Sequence, residues 1–447
     1  MIKSTIKDIN NSKDMFYSGI IIFMAGIIYF IWALKLPVSM APDERMRFDV
    51  PMWIYEHNTL PRGDLPELRN NLWGFSYAFT PYLPSIISVL FMKIVSIFSD
   101  NQSVLIIAAR MTSVFAGLGT AILCLKIGNI LFKDKKCKYL LAILICFLPQ
   151  FVFLCSYLNN DAFAVFTVMI ILYYWIKGIK EHWCIKNCIG LGVGIGLCAL
   201  TYYNAYGYIL CSIFVFCISI FIDHSIRNKW KFLFLHGVLV FVIAFSIAGW
   251  FFIRNYIIYD GDFLAMDSMY DCGELYAIDE LKLSKRATYY NLSKTVLDMM
   301  LHTRWLVSTS ASFFAVFGAM KIIVCPIFYI LYGFIILIGI IAFFCKIWKD
   351  KKYTKLLIIN MFLAALIVLI LSIHYSYTID YQAQGRYLMP AMPVLMIFLV
   401  IGYKYIDSYM IKKEKKIKVI GIITIMWFLM FLFIFAIYVI PLCMGGV

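Results

Sequence analysis

The chain has 447 residues, of which 63% are hydrophobic and only 15% charged, with a formal net charge of +15. Soluble proteins average about 45–50% apolar and about 25% charged residues, so a water-facing set of domains is excluded. The positive excess does not point to nucleic acid either. Lys and Arg fall in short clusters between apolar runs, and no basic stripe interleaved with base-stacking aromatics occurs.

A spanning helix needs about 20 apolar residues. In chain order the predicted spans are 15–37, 104–132, 139–157, 162–178, 187–203, 206–223, 231–250, 322–345, 355–373, 387–406 and 418–441. The expected fold class is therefore all-α: a polytopic transmembrane helical bundle of about eleven spans, a single membrane domain with helices in its outer-face loops. The first apolar run, Met15 to Leu36, is too long for a secretory signal and lacks a small-residue cleavage site, so it reads as a retained anchor. Residues 81–98 are also apolar. Pro81 and Pro84 at their head and their shortness favour a partial or outer-leaflet helix, a full crossing being the alternative.

Basic clusters fix the expected orientation. Lys3/Lys7/Lys13, Lys133–Lys138, Lys177–Lys186, Arg227–Lys231, Lys346–Lys355 and Lys412–Lys418 occupy alternate loops, which are then cytoplasmic. A plasma-membrane location follows, with the N-terminus inside and the C-terminus outside. The outer loops are 38–103, 158–161, 251–321 and 374–386. Most of the 13 cysteines lie within spans, such as Cys124, Cys146, Cys198 and Cys217, and read as small buried hydrophobes. Gly190, Gly192, Gly194 and Gly196 lie inside a span and follow no strand, so they indicate close helix packing rather than a dinucleotide loop.

Polar residues concentrate in the outer loops. Asp43 and Glu44 follow Pro42 just beyond the first span. Asn160 and Asp161 lie between two spans, where an ionised carboxylate must face an interface or a wet cavity. Arg254 leaves the seventh span beside Gly249, Trp250 and Tyr256. Gln384, Arg386 and Tyr387 stand at the head of the tenth. Both arginines oppose the positive-inside bias. A guanidinium can grip a phosphate with two prongs, and a carboxylate can accept the proton of an attacking hydroxyl. Trp305 and Phe313 in the large loop are candidate sugar- or lipid-facing aromatics.

The Pro42-Asp43-Glu44, Asn159-Asn160-Asp161, Gly249-Trp250…Arg254-Asn255-Tyr256 and Gln384-Gly385-Arg386-Tyr387 motifs resemble the DUF2142 family of bacterial membrane proteins. That family looks related to the GT-C glycosyltransferases, which include protein O-mannosyltransferases and aminoarabinose transferases. The resemblance runs over roughly residues 15–406. It implies an inverting, outer-face glycosyltransferase that takes a sugar from a polyprenyl-phosphate donor to a cell-surface polysaccharide, polymer or protein acceptor.

By position, the resemblance makes Asp43 the general base, with Glu44 as its neighbour and Asp161 assisting. It assigns the donor phosphate to Arg386 and, more weakly, to Arg254. Arg47, Tyr202, Asn160, Gln384 and Tyr387 are candidate substrate-lining residues. Two departures stand out: Arg47 occupies a place where members often have histidine, and Tyr202 one where many have lysine. No cofactor is expected and no metal assigned, although paired carboxylates can hold a divalent cation. A flippase for lipid-linked sugars and a non-catalytic scaffold are the competing readings. The chain shows no internal repeat and few mid-span charges.

Overall fold

The computed structural model describes residues 2–347, 352–414 and 417–443. Lys349, Lys351, Lys415 and Lys416 of the basic clusters lie outside the described residues, as do the side chains of Lys3 and Lys7.

In chain order the helices are α1 (Ile2–Lys35), α2 (Glu44–His57), α3 (Leu83–Val95), α4 (Gln102–Leu131), α5 (Lys135–Cys146), α6 (Pro149–Leu154), α7 (Asp161–Lys180), α8 (Ile185–Ala199), α9 (Tyr206–Ile222), α10 (Lys229–Ile258), α11 (Met266–Tyr276), α12 (Val296–His302), α13 (Trp305–Phe314), α14 (Pro326–Ile347), α15 (Lys352–Thr378), α16 (Met392–Lys412) and α17 (Val419–Ile434). Among the described residues the strands are β1 (Val316–Phe317) and β2 (Ile322–Ile323), a two-residue antiparallel pair.

Among the described residues nine helical segments are long and apolar enough to cross a membrane, those of α1, α4, α7, α9, α10, α14, α15, α16 and α17, the last running on to Val439. Two expected spans take a different form. Residues 139–157 do not make one helix. They divide into α5 and α6 at Leu148, whose extended backbone (φ −74°, ψ 119°) precedes Pro149. A residue before proline is pushed out of the helical region, and proline itself has no N–H to continue the ladder. The second, α8, has 15 residues, about 22 Å of helix. Residues 81–98 supply only the 13-residue α3, about 20 Å long and packed on α2 and α4.

The apolar surplus lies on the outside. Phe234, Phe241 and Phe245 of α10 are exposed, and the buried residues of that helix are confined to its last turns, at Ala248, Gly249, Phe251 and Asn255. Where α10 does touch the bundle it leans on α8. A Cβ on Gly192 would lie 2.8 Å from Ile243, and one on Gly196 2.8 Å from Ile247, so glycine lets the two backbones approach.

The long connections gather at one end of the bundle and tie to one another there. The Tyr259 hydroxyl accepts from the Gly63 amide at 2.7 Å, and Ile278 N–H donates to Leu72 O at 3.1 Å. The Arg286 guanidinium donates to Ile379 O at 2.9 Å and lies over the Trp73 ring. The short basic loops are at the other end, where Asp14 of α1 pairs with Lys138. The loop-rich end therefore forms a cap over the bundle, and the polar residues singled out in the sequence lie beneath it.

Candidate functional site

Asp43 and Glu44 are neighbours in sequence and diverge completely in space. Asp43 adopts a left-handed conformation (φ 58°, ψ 2°) at the N-cap of α2. That conformation is uncommon for a residue with a Cβ and is best tolerated by Asp and Asn. It turns the two side chains apart.

Glu44 points inward and is fully buried. Its carboxylate accepts from Arg110 Nε at 2.8 Å and Nη2 at 2.6 Å, and from the Leu158 amide at 2.8 Å. Arg110 Nη1 donates to Ala33 O and Leu36 O, both at 2.8 Å. This knot joins the end of α1, the start of α2, the middle of α4 and the turn before α7. Glu44, expected beside the base, has no free oxygen to offer a substrate. Its place in the fold is to position what lies on either side of it.

Asp43 points into a cavity of about 360 Å³ lined by Pro42, Trp73, Tyr77, Gln384, Arg386 and Tyr387, among others. Its Oδ2 accepts from Arg386 Nη2 at 2.7 Å. Burial would raise the Asp43 carboxyl, but the Arg386 and Arg47 guanidinium groups and Tyr77 hold it below the usual carboxylate range. Burial keeps the Tyr77 phenol protonated by pushing its pKa well up.

Arg386 is placed by Gly385. That glycine donates its N–H to Ser312 Oγ at 2.7 Å, and a Cβ on it would fall 2.1 Å from Phe313 N. No other residue could bring the backbone so close to α13. Arg386 is 7% exposed and spends one nitrogen on Asp43, while its Nε and Nη1 are buried without a partner. Nη2 also reaches the Tyr387 hydroxyl at 3.4 Å.

Asp161 starts α7 and is 2% exposed, with Oδ1 buried and unpartnered. Its charged neighbours are Arg386, Arg47 and Asp43. Arg47, one turn after Asp43, is buried with its guanidinium 4.1 Å over the Tyr77 ring and its Nε unpartnered. The Tyr157 hydroxyl is likewise unpartnered. Native interiors satisfy nearly all buried polar groups. Here at least five such atoms, on Arg47, Tyr157, Asp161 and Arg386, are left open around one centre.

The remaining expected residues divide. Gln384 and Tyr387 line the cavity, and Tyr202 is within electrostatic reach of Asp161, Tyr387, Arg386 and Arg47. Asn160 is a staple rather than a lining residue, its Nδ2 donating to Thr201 O at 2.9 Å and Pro81 O at 3.2 Å.

Arg254 is not brought to the site. Its Nη2 donates to Pro61 O at 2.8 Å and Leu60 O at 3.1 Å, which pins the first long loop to α10. Trp305 is buried, and Phe313 faces an apolar cleft described below. Sequence reasoning missed Tyr77 and Tyr157. A signal for the first existed in the clustering of Trp73, Phe75 and Tyr77, and all three line the cavity.

Behind that segment lies a larger cavity of about 710 Å³. Two of its aspartates are engaged locally, Asp64 with Arg62 and Asp262 with Ser268, and it contains none of the open buried groups named above. Among the described residues no three His, Cys, Asp or Glu side chains come together as a metal site would require.

Two apolar clefts that share lining residues lie along the bundle, the first of them reaching Leu388. One, about 290 Å³, includes Phe313 and Leu388; the next, about 450 Å³, includes Phe343 and Ile358. They share Ala365, Ala391 and Leu395. Leu388 is two residues from Arg386. From Leu369 to Ile358 the clefts follow α15 for about 16 Å.

Residues 81–250 match the family model of dolichyl-phosphate-mannose-protein mannosyltransferases. No curated protein sequence matches the chain significantly. Among solved structures, ArnT from Cupriavidus metallidurans bound to undecaprenyl phosphate is similar at 10% identity and TM-score 0.55, over 89% of this chain and 62% of that one. The oligosaccharyltransferase of Archaeoglobus fulgidus in the apo form is similar at 14% identity and TM-score 0.54, over 96% and 55%. The same archaeal enzyme, AglB, in complex with an inhibitory peptide and a dolichol-phosphate is similar at 13% identity and TM-score 0.54, over 97% and 56%. The chain thus spans 55–62% of the length of the structures it matches. These likenesses establish the fold as that of the multi-pass GT-C membrane glycosyltransferases.

Proposed function

We propose that the chain is a membrane glycosyltransferase of GT-C type that takes a sugar from a polyprenyl-phosphate donor on the outer face of the membrane. The observation that carries this reading is the set of unpartnered buried atoms on Asp161, Arg386, Arg47 and Tyr157 near Asp43, with Asp43 and Arg386 lining one cavity and Leu388, two residues on, lining an apolar cleft. A phosphate at Arg386 would complete the idle N–H groups. A prenyl tail would lie along the cleft that begins at Leu388 and Phe313.

In the proposed reaction the acceptor hydroxyl loses its proton to the Asp43 carboxylate and attacks the anomeric carbon. The carbon–oxygen bond to the phosphate breaks, and its electron pair leaves on the phosphate oxygen, where Arg386 balances the charge. Attack opposite the leaving group inverts the anomeric centre. Asp161, Tyr202, Gln384 and Tyr387 would orient the sugar and acceptor. Glu44 would hold Asp43 in place from behind, and Arg254 would have no part in the chemistry. The reaction as proposed calls on no cofactor, and Asp43 Oδ2 is engaged by Arg386.

The acceptor is a cell-surface polysaccharide, polymer or protein, and the finer affiliation to the DUF2142 family rests on the four sequence motifs. With 38–103 and 251–321 outside, the basic loops face the cytoplasm, as the positive-inside rule expects. The purified full chain, reconstituted and incubated with a panel of polyprenyl-phosphate sugars, should release polyprenyl phosphate from at least one of them. Failure with every donor, together with lipid movement across vesicles that persists in Asp43→Asn, would replace this reading with transport.

A further inference from the structure

The proposed reaction uses one cation, yet the site contains two. Arg47 is 9% exposed and, among the described residues, its guanidinium makes no hydrogen bond or ion pair. Its fixed contact is the face of Tyr77, 4.1 Å from the guanidinium carbon. Stacking holds the plane of the group and leaves its N–H edge free. A guanidinium cannot shed its proton in a protein, so burial without an acceptor is unfavourable unless an anion completes it.

Arg386 is in the same condition on two of its three nitrogens. The two groups come from distant parts of the chain, α2 and the turn before α16, and share Asp43 and Asp161 as charged neighbours.

We infer that Arg47 and Arg386 form a two-guanidinium clamp, each taking one non-bridging oxygen of the donor phosphate, with Arg47 as the second anion-binding residue of the site. This rests on the donor reading above. It carries a consequence for turnover. The donor is a phosphodiester with one negative charge, whereas the departing polyprenyl phosphate is a monoester that approaches two. A clamp of two fixed cations therefore holds the product more tightly than the donor, and polyprenyl phosphate acts as a competitive product inhibitor.

The test uses the full chain in lipid nanodiscs, titrated with a polyprenyl phosphate and with the matching uncharged polyprenol. The wild-type protein should prefer the phosphate. Arg47→Gln should lower phosphate affinity roughly 10- to 100-fold, the range for losing a hydrogen bond to a charged group, with polyprenol affinity unchanged. Arg47→Lys should restore part of the loss. If the wild type prefers the phosphate and Arg47→Gln binds it equally well, the clamp is overturned and the donor reading stands. If the wild type does not distinguish phosphate from alcohol, the donor reading fails and the clamp falls with it. Should Arg47→Gln not fold, Arg47→Lys carries the test: a several-fold weaker phosphate affinity supports the clamp, and wild-type affinity overturns it.

Discussion

Two polar clusters lie side by side under the cap, built from the same residue types with opposite outcomes. In the first, Glu44 and Arg110 satisfy one another and three backbone groups, and every arm is used. In the second, Asp43 and Arg386 share a single bond, while Arg47, Asp161 and Tyr157 keep buried atoms open. One residue separates them along the chain. The difference teaches that burial of charge is not itself a sign of function. A closed network holds the fold together, and an open one holds space for something absent.

The largest effect should come from opening the closed cluster. Glu44→Ala leaves Arg110 buried and unpaired, a loss on the order of 3–5 kcal/mol. A lower melting temperature and a poorer monodisperse yield in size-exclusion chromatography would show it. Wild-type stability in this variant would break the contrast. Next, Asp43→Asn removes the proposed base from the open cluster. Transfer should fall by roughly 10²- to 10⁴-fold, with the melting temperature close to wild type. A variant that melts early but transfers normally would reverse the two assignments.

The pH dependence sharpens the same point. Because Asp43 is held below its usual range, the stability its charged form brings is fully present above the unfolded carboxyl pKa of about 3.9 and is lost as pH falls from there through the lower folded pKa. Asp49, on the same helix, does the opposite. Burial raises its carboxyl to about 6, with Arg45 offsetting part of the shift. Its contribution is present below about pH 4 and is lost as pH rises through 6. Asp49→Asn should therefore raise the melting temperature by a degree or two at pH 7 and leave it unchanged at pH 4, the smallest of the three effects.

The membrane spans were legible because hydropathy and basic loops write them directly into the sequence. The break at Leu148 was missed although Pro149 marks it, because the apolar run around it hides the signal. At the site, Asp43, Asp161 and Arg386 stood out as charges beside spans on the face where arginine is disfavoured. The sequence could not separate Asp43 from Glu44. That choice depends on one left-handed residue and on Arg110, 66 positions away from Glu44. Arg254 looked equivalent to Arg386 because both are arginines at span ends. What divides them is the partner of Nη2: the carbonyls of Leu60 and Pro61, 194 and 193 residues distant, for Arg254, and the Asp43 carboxylate for Arg386. Pairings at such range leave no local trace.

Gly385 has a mechanical corollary. With its amide on Ser312 and no room for a Cβ against Phe313, the chain at Arg386 and the helix α13 are in effect riveted together. A shift of α13 therefore cannot be absorbed at the joint and is passed along the backbone to the residue that follows it.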